Sequence, residues 1–234
     1  MRIMQTAADP TQDFGATELR TVLTVPLFPL PGALLLPRGS LPLHIFEPRY
    51  LAMVDDAMNS DHLIGMVQPR VTPSIGTPGS DVATPALFEI GCAGRITAHT
   101  QAPDGRRFIT LTGISRFVIV GELPQVRGYR RAMVTWERFA ADLVEDPTDA
   151  IDDAALLASL RSYFTTHSYD TNWEALQHLP ASALVNLLAM MCPFEPPEKQ
   201  ALLEAPTLET RARVLTTLLD LDAASNVAHS TRLQ

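Results

Sequence analysis

PLFPLPGALLLPRGSLPLHIFEPRY, residues 26–50, is the stretch on which the fold turns. Its prolines at 26, 29, 31, 37 and 42 each fix φ and remove a backbone donor, so no helix can run through it. The apolar runs left between them, at 34–36 and 41–45, are long enough only for short strands. The block then ends on an acid, an arginine and a tyrosine, Glu47, Arg49 and Tyr50, where the pattern changes. Pro48 suits the first turn of a helix, where a missing N–H costs nothing. Tyr50, Met53, Val54, Ala57 and Met58 follow as one apolar stripe, and Asn59-Ser60 ends it.

Outward from this block, residues 20–140 read as β-rich. Strands are expected at 22–28, 62–68 and 129–137, the last with Ala132, Val134 and Trp136 on one face. Residues 86–123 read as a meander of three strands. Pro103-Asp104-Gly105 supplies its first turn. Phe108, Thr110 and Thr112 alternate against Ile109 and Leu111, and Gly113 permits a bend. Gly91 and Gly94 mark a bulge or a barrel corner. Residues 70–85, with three prolines and two glycines, read as a long surface loop. After Asp146-Pro147 the pattern turns helical, at 151–165, 180–191, 197–204 and 207–221, with Thr207 a candidate N-cap. The expected fold class is α+β. A tail at 1–20 precedes a β-rich unit at 21–140, and a helical bundle at 147–222 precedes a C-terminal tail at 223–234.

With 46% apolar and 19% charged residues, the composition is that of a globular protein. No apolar run approaches the roughly 18 residues of a membrane helix. The first twenty residues lack the apolar core of a secretory signal. Cys92 and Cys192 stand far apart and form no metal or redox motif, so a cytoplasmic protein with reduced thiols is expected. Residues 1–141 hold 13 Arg against 12 Asp and Glu, while residues 142–234 hold 5 Arg and Lys against 14 acids. The acidic second half should repel a polyanion, so nucleic acid is not an expected partner. Lys199 is the one lysine in the chain.

Several stretches resemble, in the same order, the substrate-binding (N-terminal) domain of Lon-type proteases. They are the opening block, FEPRYLAMVDDAM at 46–58, HLIGMV at 62–67, FEIGCAGRIT at 88–97 and PDGRRFITLTGISRFVI at 103–119. The Pro-x-x-x-Leu-Val-Asn run at 180–186 and EKQALLEAPTLETR at 198–211 continue the series. The resemblance covers about residues 22–220. It implies a PUA-like pseudo-barrel followed by helices, and binding of unfolded or damaged polypeptides for a separate protease or chaperone. There is no G-x-x-x-x-G-K-[ST] phosphate loop, because the sole lysine lies in PPEKQA. That context matches the binding domain and not the Ser–Lys dyad of the full enzyme. A stand-alone, non-enzymatic binding domain without cofactors is the expectation.

Chemistry beyond binding finds little support. The six histidines form no ligand spacing, and His44 in its apolar run reads as a structural histidine. Cys92 reads as a small buried residue near a bulge, Cys192 as a helix-end core residue. A nucleophile would need a neighbouring base that no motif supplies. Glu47 and Arg49 have two readings: a helix-start acid with an arginine paired elsewhere, or the polar edge of a peptide surface. Arg106, Arg107, Arg127, Arg130 and Arg131 could form a basic patch, and the PUA-like topology also serves RNA-binding domains. A small-molecule or RNA binder is therefore the alternative, although no aromatic-rich motif for stacking bases accompanies these arginines. Peptide binding needs an exposed apolar groove or an open strand edge. The candidate binding residues are Leu34, Leu36, Glu47, Arg49 and Tyr50, with the loops at 29–42 and 70–85 as the places to look.

Overall fold

The computed structural model describes residues 22–70, 85–144 and 153–232. The tail expected at 1–20, most of the 70–85 loop and residues 147–152 lie outside the described residues. In chain order the elements are β1 (Val22–Pro29), β2 (Ser40–Ile45), α1 (Pro48–Met58), β3 (Leu63–Val67), β4 (Ile90–Gln101), β5 (Arg107–Val126) and β6 (Tyr129–Thr135). A 3-10 segment, Glu137–Leu143, leads to α2 (Asp153–Thr166), α3 (Trp173–Gln177), α4 (Ala181–Met191), α5 (Pro196–Glu204) and α6 (Leu208–Arg232).

The strands form one mixed sheet in the order β2-β5-β4-β3-β1-β6, and β6 pairs again with β5. That second pairing closes β5, β4, β3, β1 and β6 into a ring and leaves β2 as an outer edge strand. The closure depends on the length of β5. Its first half pairs with β2 and β4, and its second half, from Val118 to Val126, with β6. The expected α+β pseudo-barrel is the fold observed. The meander is two long strands, not three. Gly113 is no bend but a close approach, because a Cβ there would collide with the Leu36 carbonyl crossing above it. The bulge expected near Gly94 is present, with register shifts at Ala93/Gly94 and Ile96/Ala98.

Two cores follow from the alternation. Inside the ring pack Val25, Leu27, Ala93, Phe117, Ala132 and Val134. Phe117 fills the centre, and Gly65 and Gly91 have no side chain where its ring lies. Outside the ring, a larger core joins α1, the segment 34–36 and the helices α2, α4, α5 and α6. Residues 34–36 form no strand, contrary to expectation. They are drawn off the sheet into this core, pinned by Gln68, which accepts from the Gly32 N–H at 2.9 Å and donates to the Ala33 carbonyl at 2.6 Å. Asn186 of α4 donates to the Pro37 carbonyl at 3.1 Å. The helical starts use the expected prolines, with Pro180 at the N-cap of α4 and proline in the first turn of α1 and α5. Thr207 accepts from the Thr210 N–H at 3.1 Å. Helix α6 runs on to Arg232, so 223–232 continue the helix rather than form a tail.

Candidate functional site

The outer face of β2, β5 and β4 carries an aromatic cluster that no element among the described residues covers. Alternation dictates it. Leu41, Leu43 and Ile45 turn inward with Ile109 and Leu111, so Pro42 and His44 turn outward with Phe108 and Thr110. His44 is paired with Phe108 across the strands, and their rings stack with centroids 4.6 Å apart and planes 7° from parallel. Phe46, just past β2, lies 5.7 Å from the His44 ring. Phe46 is 61% exposed and Phe108 49%, although apolar rings are costly to leave in water. Beside them the face continues in small residues, Pro42, Thr110 and Ala98, which share one register row.

Two charge pairs stand near this cluster. Arg49 pairs with Glu47 at 2.7 Å and Arg106 with Asp104 at 2.6 Å, while Arg107, on the inner side with Ile109, pairs with Asp55 of α1 at 2.6 Å. His99 Nε2 lies 3.0 Å from the Arg107 guanidinium. The cluster is thus apolar, with the paired charges of Glu47–Arg49 and Asp104–Arg106 nearby.

The residues singled out in the sequence separate into two groups. Glu47 and Arg49 are exposed at the start of α1, next to Phe46, and pair with each other rather than with distant partners. Tyr50 is buried under Arg49, whose guanidinium sits 4.5 Å above its ring, and it packs on Phe28. Burial raises the Tyr50 phenol above its ordinary range, with Arg49 opposing. Leu34 and Leu36 are core residues, 2% and 0% exposed, so in this conformation their side chains face the interior and not a ligand. His44 is no buried structural histidine but part of the exposed cluster. Of the five arginines considered as a basic patch, Arg127 faces Asp56 and Arg130 faces Glu122, both at 2.5 Å. Arg106 and Arg107 have the partners given above, and Arg131 donates to the Pro124 carbonyl at 3.0 Å. Phe46 and Phe108 were missed as site residues, yet the period-two alternation was a legible signal for them.

The reactive groups are withdrawn. Cys92 is fully buried, and burial pushes its thiol far up. Cys192 closes α4, and burial raises its thiol to about 11. Lys199 is 2% exposed, and its Nζ donates to the Ala189 and Met190 carbonyls at 3.0 and 2.7 Å, capping the C-terminus of α4. Burial lowers its ammonium to about 8. An unfolded lysine titrates near 10.4, so between those values the unfolded chain binds more protons and stability rises with pH. Between pH 7 and pH 9 wild type should gain about 1 kcal/mol relative to Lys199→Met, read from urea unfolding of both. A constant difference between them would mean the amine stays charged throughout.

Comparison with known proteins supplies the remaining findings. A family model described as the ATP-dependent protease La (LON) substrate-binding domain matches residues 24–220. Lon protease 2 of Myxococcus xanthus is 27% identical over 231 residues, 93% of this chain and 26% of that protein. Lon protease of Anaeromyxobacter dehalogenans is 24% identical over 210 residues, 84% of this chain and 23% of that protein. The chain thus spans about a quarter of the length of these relatives. A Lon N-terminal domain protein from Xanthomonas campestris superposes with a TM-score of 0.56 at 23% identity, over 83% of this chain and 98% of that one. The N terminal domain of the Mycobacterium avium complex Lon protease gives 0.54 at 17% identity, over 84% and 98%. At those identities the structures speak for the fold alone. Among the described residues, no helix is long and apolar enough to cross a membrane.

Proposed function

Because the chain belongs to the LON substrate-binding domain family, we propose that it is a polypeptide-recognition module. It holds unfolded or damaged segments through the aromatic cluster of Phe46, His44 and Phe108, as an adaptor or weak holdase without catalysis of its own. The carrying observation is that cluster: two phenylalanines left about half or more exposed on a sheet face, one stacked on a histidine and the other beside it. Exposed apolar patches with polar rims are the surfaces that bind other chains. Glu47 and Arg49 form the polar edge. The bound segment would pass to a separate protease or chaperone in the cytoplasm. The matched charges at 104–107 and 127–131 weigh against the RNA alternative, because a phosphate backbone needs cations that are not already neutralised.

The test is binding of the purified protein to a permanently unfolded, carboxymethylated protein, with a folded control, at two salt concentrations. Phe46→Asp and Phe108→Asp should each weaken binding of the unfolded form by about tenfold or more. Thermal unfolding should stay close to wild type, since both side chains are exposed. Raising salt from about 50 to 200 mM should change the affinity little, whereas a phosphate-contacting interface loses orders of magnitude. Equal binding by wild type and both variants would remove this face from the proposal.

A further inference from the structure

The exposed face of β2 and its outer edge, which pairs with no strand among the described residues, are different surfaces, and the backbone distinguishes them. The Gly113 N–H donates to the Gly39 carbonyl at 2.8 Å. That bond makes Ser40 and Thr112 a non-hydrogen-bonded pair in the antiparallel ladder. By alternation Pro42 with Thr110 and His44 with Phe108 are non-hydrogen-bonded pairs too. The closer Cα approach of such pairs is what lets the His44 and Phe108 rings stack. It also means that the backbone groups of Ser40, Pro42 and His44 point away from β5, to the open edge. An incoming strand would have to pair with those three residues. Pro42, the middle one, has no N–H, and a proline there is how edge strands are blunted against pairing.

Resting on the polypeptide reading above, we infer that the module captures side chains on the sheet face and does not add a substrate strand to the β2 edge. The occupant is an uncharged segment bearing large aromatic or aliphatic side chains. Its ring contacts are Phe46, His44 and Phe108, and the small residues Pro42, Thr110 and Ala98 leave space alongside. Charge complementarity selects it. The flanking arginines Arg49 and Arg106 are held by carboxylates at 2.7 and 2.6 Å, so their charge is already met and offers little to a highly charged partner. Specificity then follows side-chain chemistry and not backbone hydrogen bonding. Such a module tolerates many sequences and either chain direction.

The experiment uses a fluorescein-labelled octapeptide alternating phenylalanine with serine. It is compared with two versions N-methylated at one or the other set of alternate residues, and with an all-serine version. Binding is read by fluorescence anisotropy on wild type and Phe108→Asp. The expected result is that both methylated peptides bind within about twofold of the parent, because no backbone donor is used. The all-serine peptide and the Phe108→Asp variant should each lose about tenfold or more. Loss of binding on methylation of either set, with Phe108→Asp unaffected, would overturn this mode in favour of strand addition and leave polypeptide recognition standing. Failure of the parent octapeptide, while the carboxymethylated protein still binds, would overturn the side-chain mode alone. Failure of both probes overturns the recognition reading and this inference with it.

Discussion

Replacing Arg116 with alanine is expected to lower the unfolding free energy by about 3–5 kcal/mol. Arg116 leaves β5 on the side that faces the helices, and its side chain is 5% exposed. Its Nε and one terminal nitrogen form a bidentate pair with Asp142, at 2.8 and 2.7 Å, and Asp142 is 9% exposed. The other terminal nitrogen donates to the Leu203 and Ala205 carbonyls at 3.1 and 2.6 Å. Those carbonyls end α5, where a cation offsets the negative end of the helix dipole. The guanidinium also lies 4.5 Å over the Phe139 ring. One side chain therefore ties the sheet, the 3-10 segment and the helical layer together. Alanine would take both side-chain donors from a buried carboxylate, leaving it the residue-116 backbone N–H, and strand two buried carbonyls at once, which is why the expected cost exceeds that of an ordinary polar truncation. Lysine should recover little of it, since a point charge cannot reproduce the fork. The exposed Arg106–Asp104 pair is the internal control: Arg106→Ala should cost no more than about 1 kcal/mol. Urea unfolding of the three variants measures this. An Arg116→Ala protein within 1 kcal/mol of wild type would mean that sheet and helices are held by apolar packing alone.

That clamp also marks where local pattern runs out. The strands, the hairpin turn at 103–105, α1 and the proline-started helices follow from periodicity and turn chemistry, which act over a few residues. Arg116 and Asp142 are 26 positions apart, and Arg116 reaches carbonyls near 203–205, so nothing in the neighbourhood of either residue announces the pairing. Gly113 misled for a related reason. A glycine inside a strand pattern signals either a bend or a close backbone approach. Only the path of residues 34–36 over β5 decides between them. For the candidate site, the strand-to-helix junction at 46–50 was legible, because Glu47 and Arg49 sit where a proline starts a helix. The exposure of His44 was legible too, since Leu41, Leu43 and Ile45 claim the inner face of β2. His44 was instead read from the apolarity of its neighbours. Leu34 and Leu36 could not be placed from the sequence, because a proline-rich loop has no period from which an inner and an outer side can be inferred.

Leu36→Ala separates support from contact in that same loop. Leu36 is fully buried between the sheet and the helices, its carbonyl passes over Gly113, and the segment around it is gripped by Gln68 and Asn186. A chain held by hydrogen bonds on both sides cannot relax into the space left by a truncated side chain, so both the transfer and the cavity contributions should be felt. The expected loss is about 2–5 kcal/mol in urea unfolding. Affinity for the carboxymethylated probe, measured where the variant is still folded, should stay within about twofold of wild type, because Phe46 and Phe108 lie on the opposite face of the sheet. The reverse pattern would carry a different message. A tenfold loss of affinity with stability within 1 kcal/mol of wild type would mean that the 34–36 segment leaves the core to meet its ligand. The aromatic face would then be only part of the surface. The two readings predict opposite changes in two independent measurements on one variant, so a single preparation decides whether the proline-rich block builds the site or forms it.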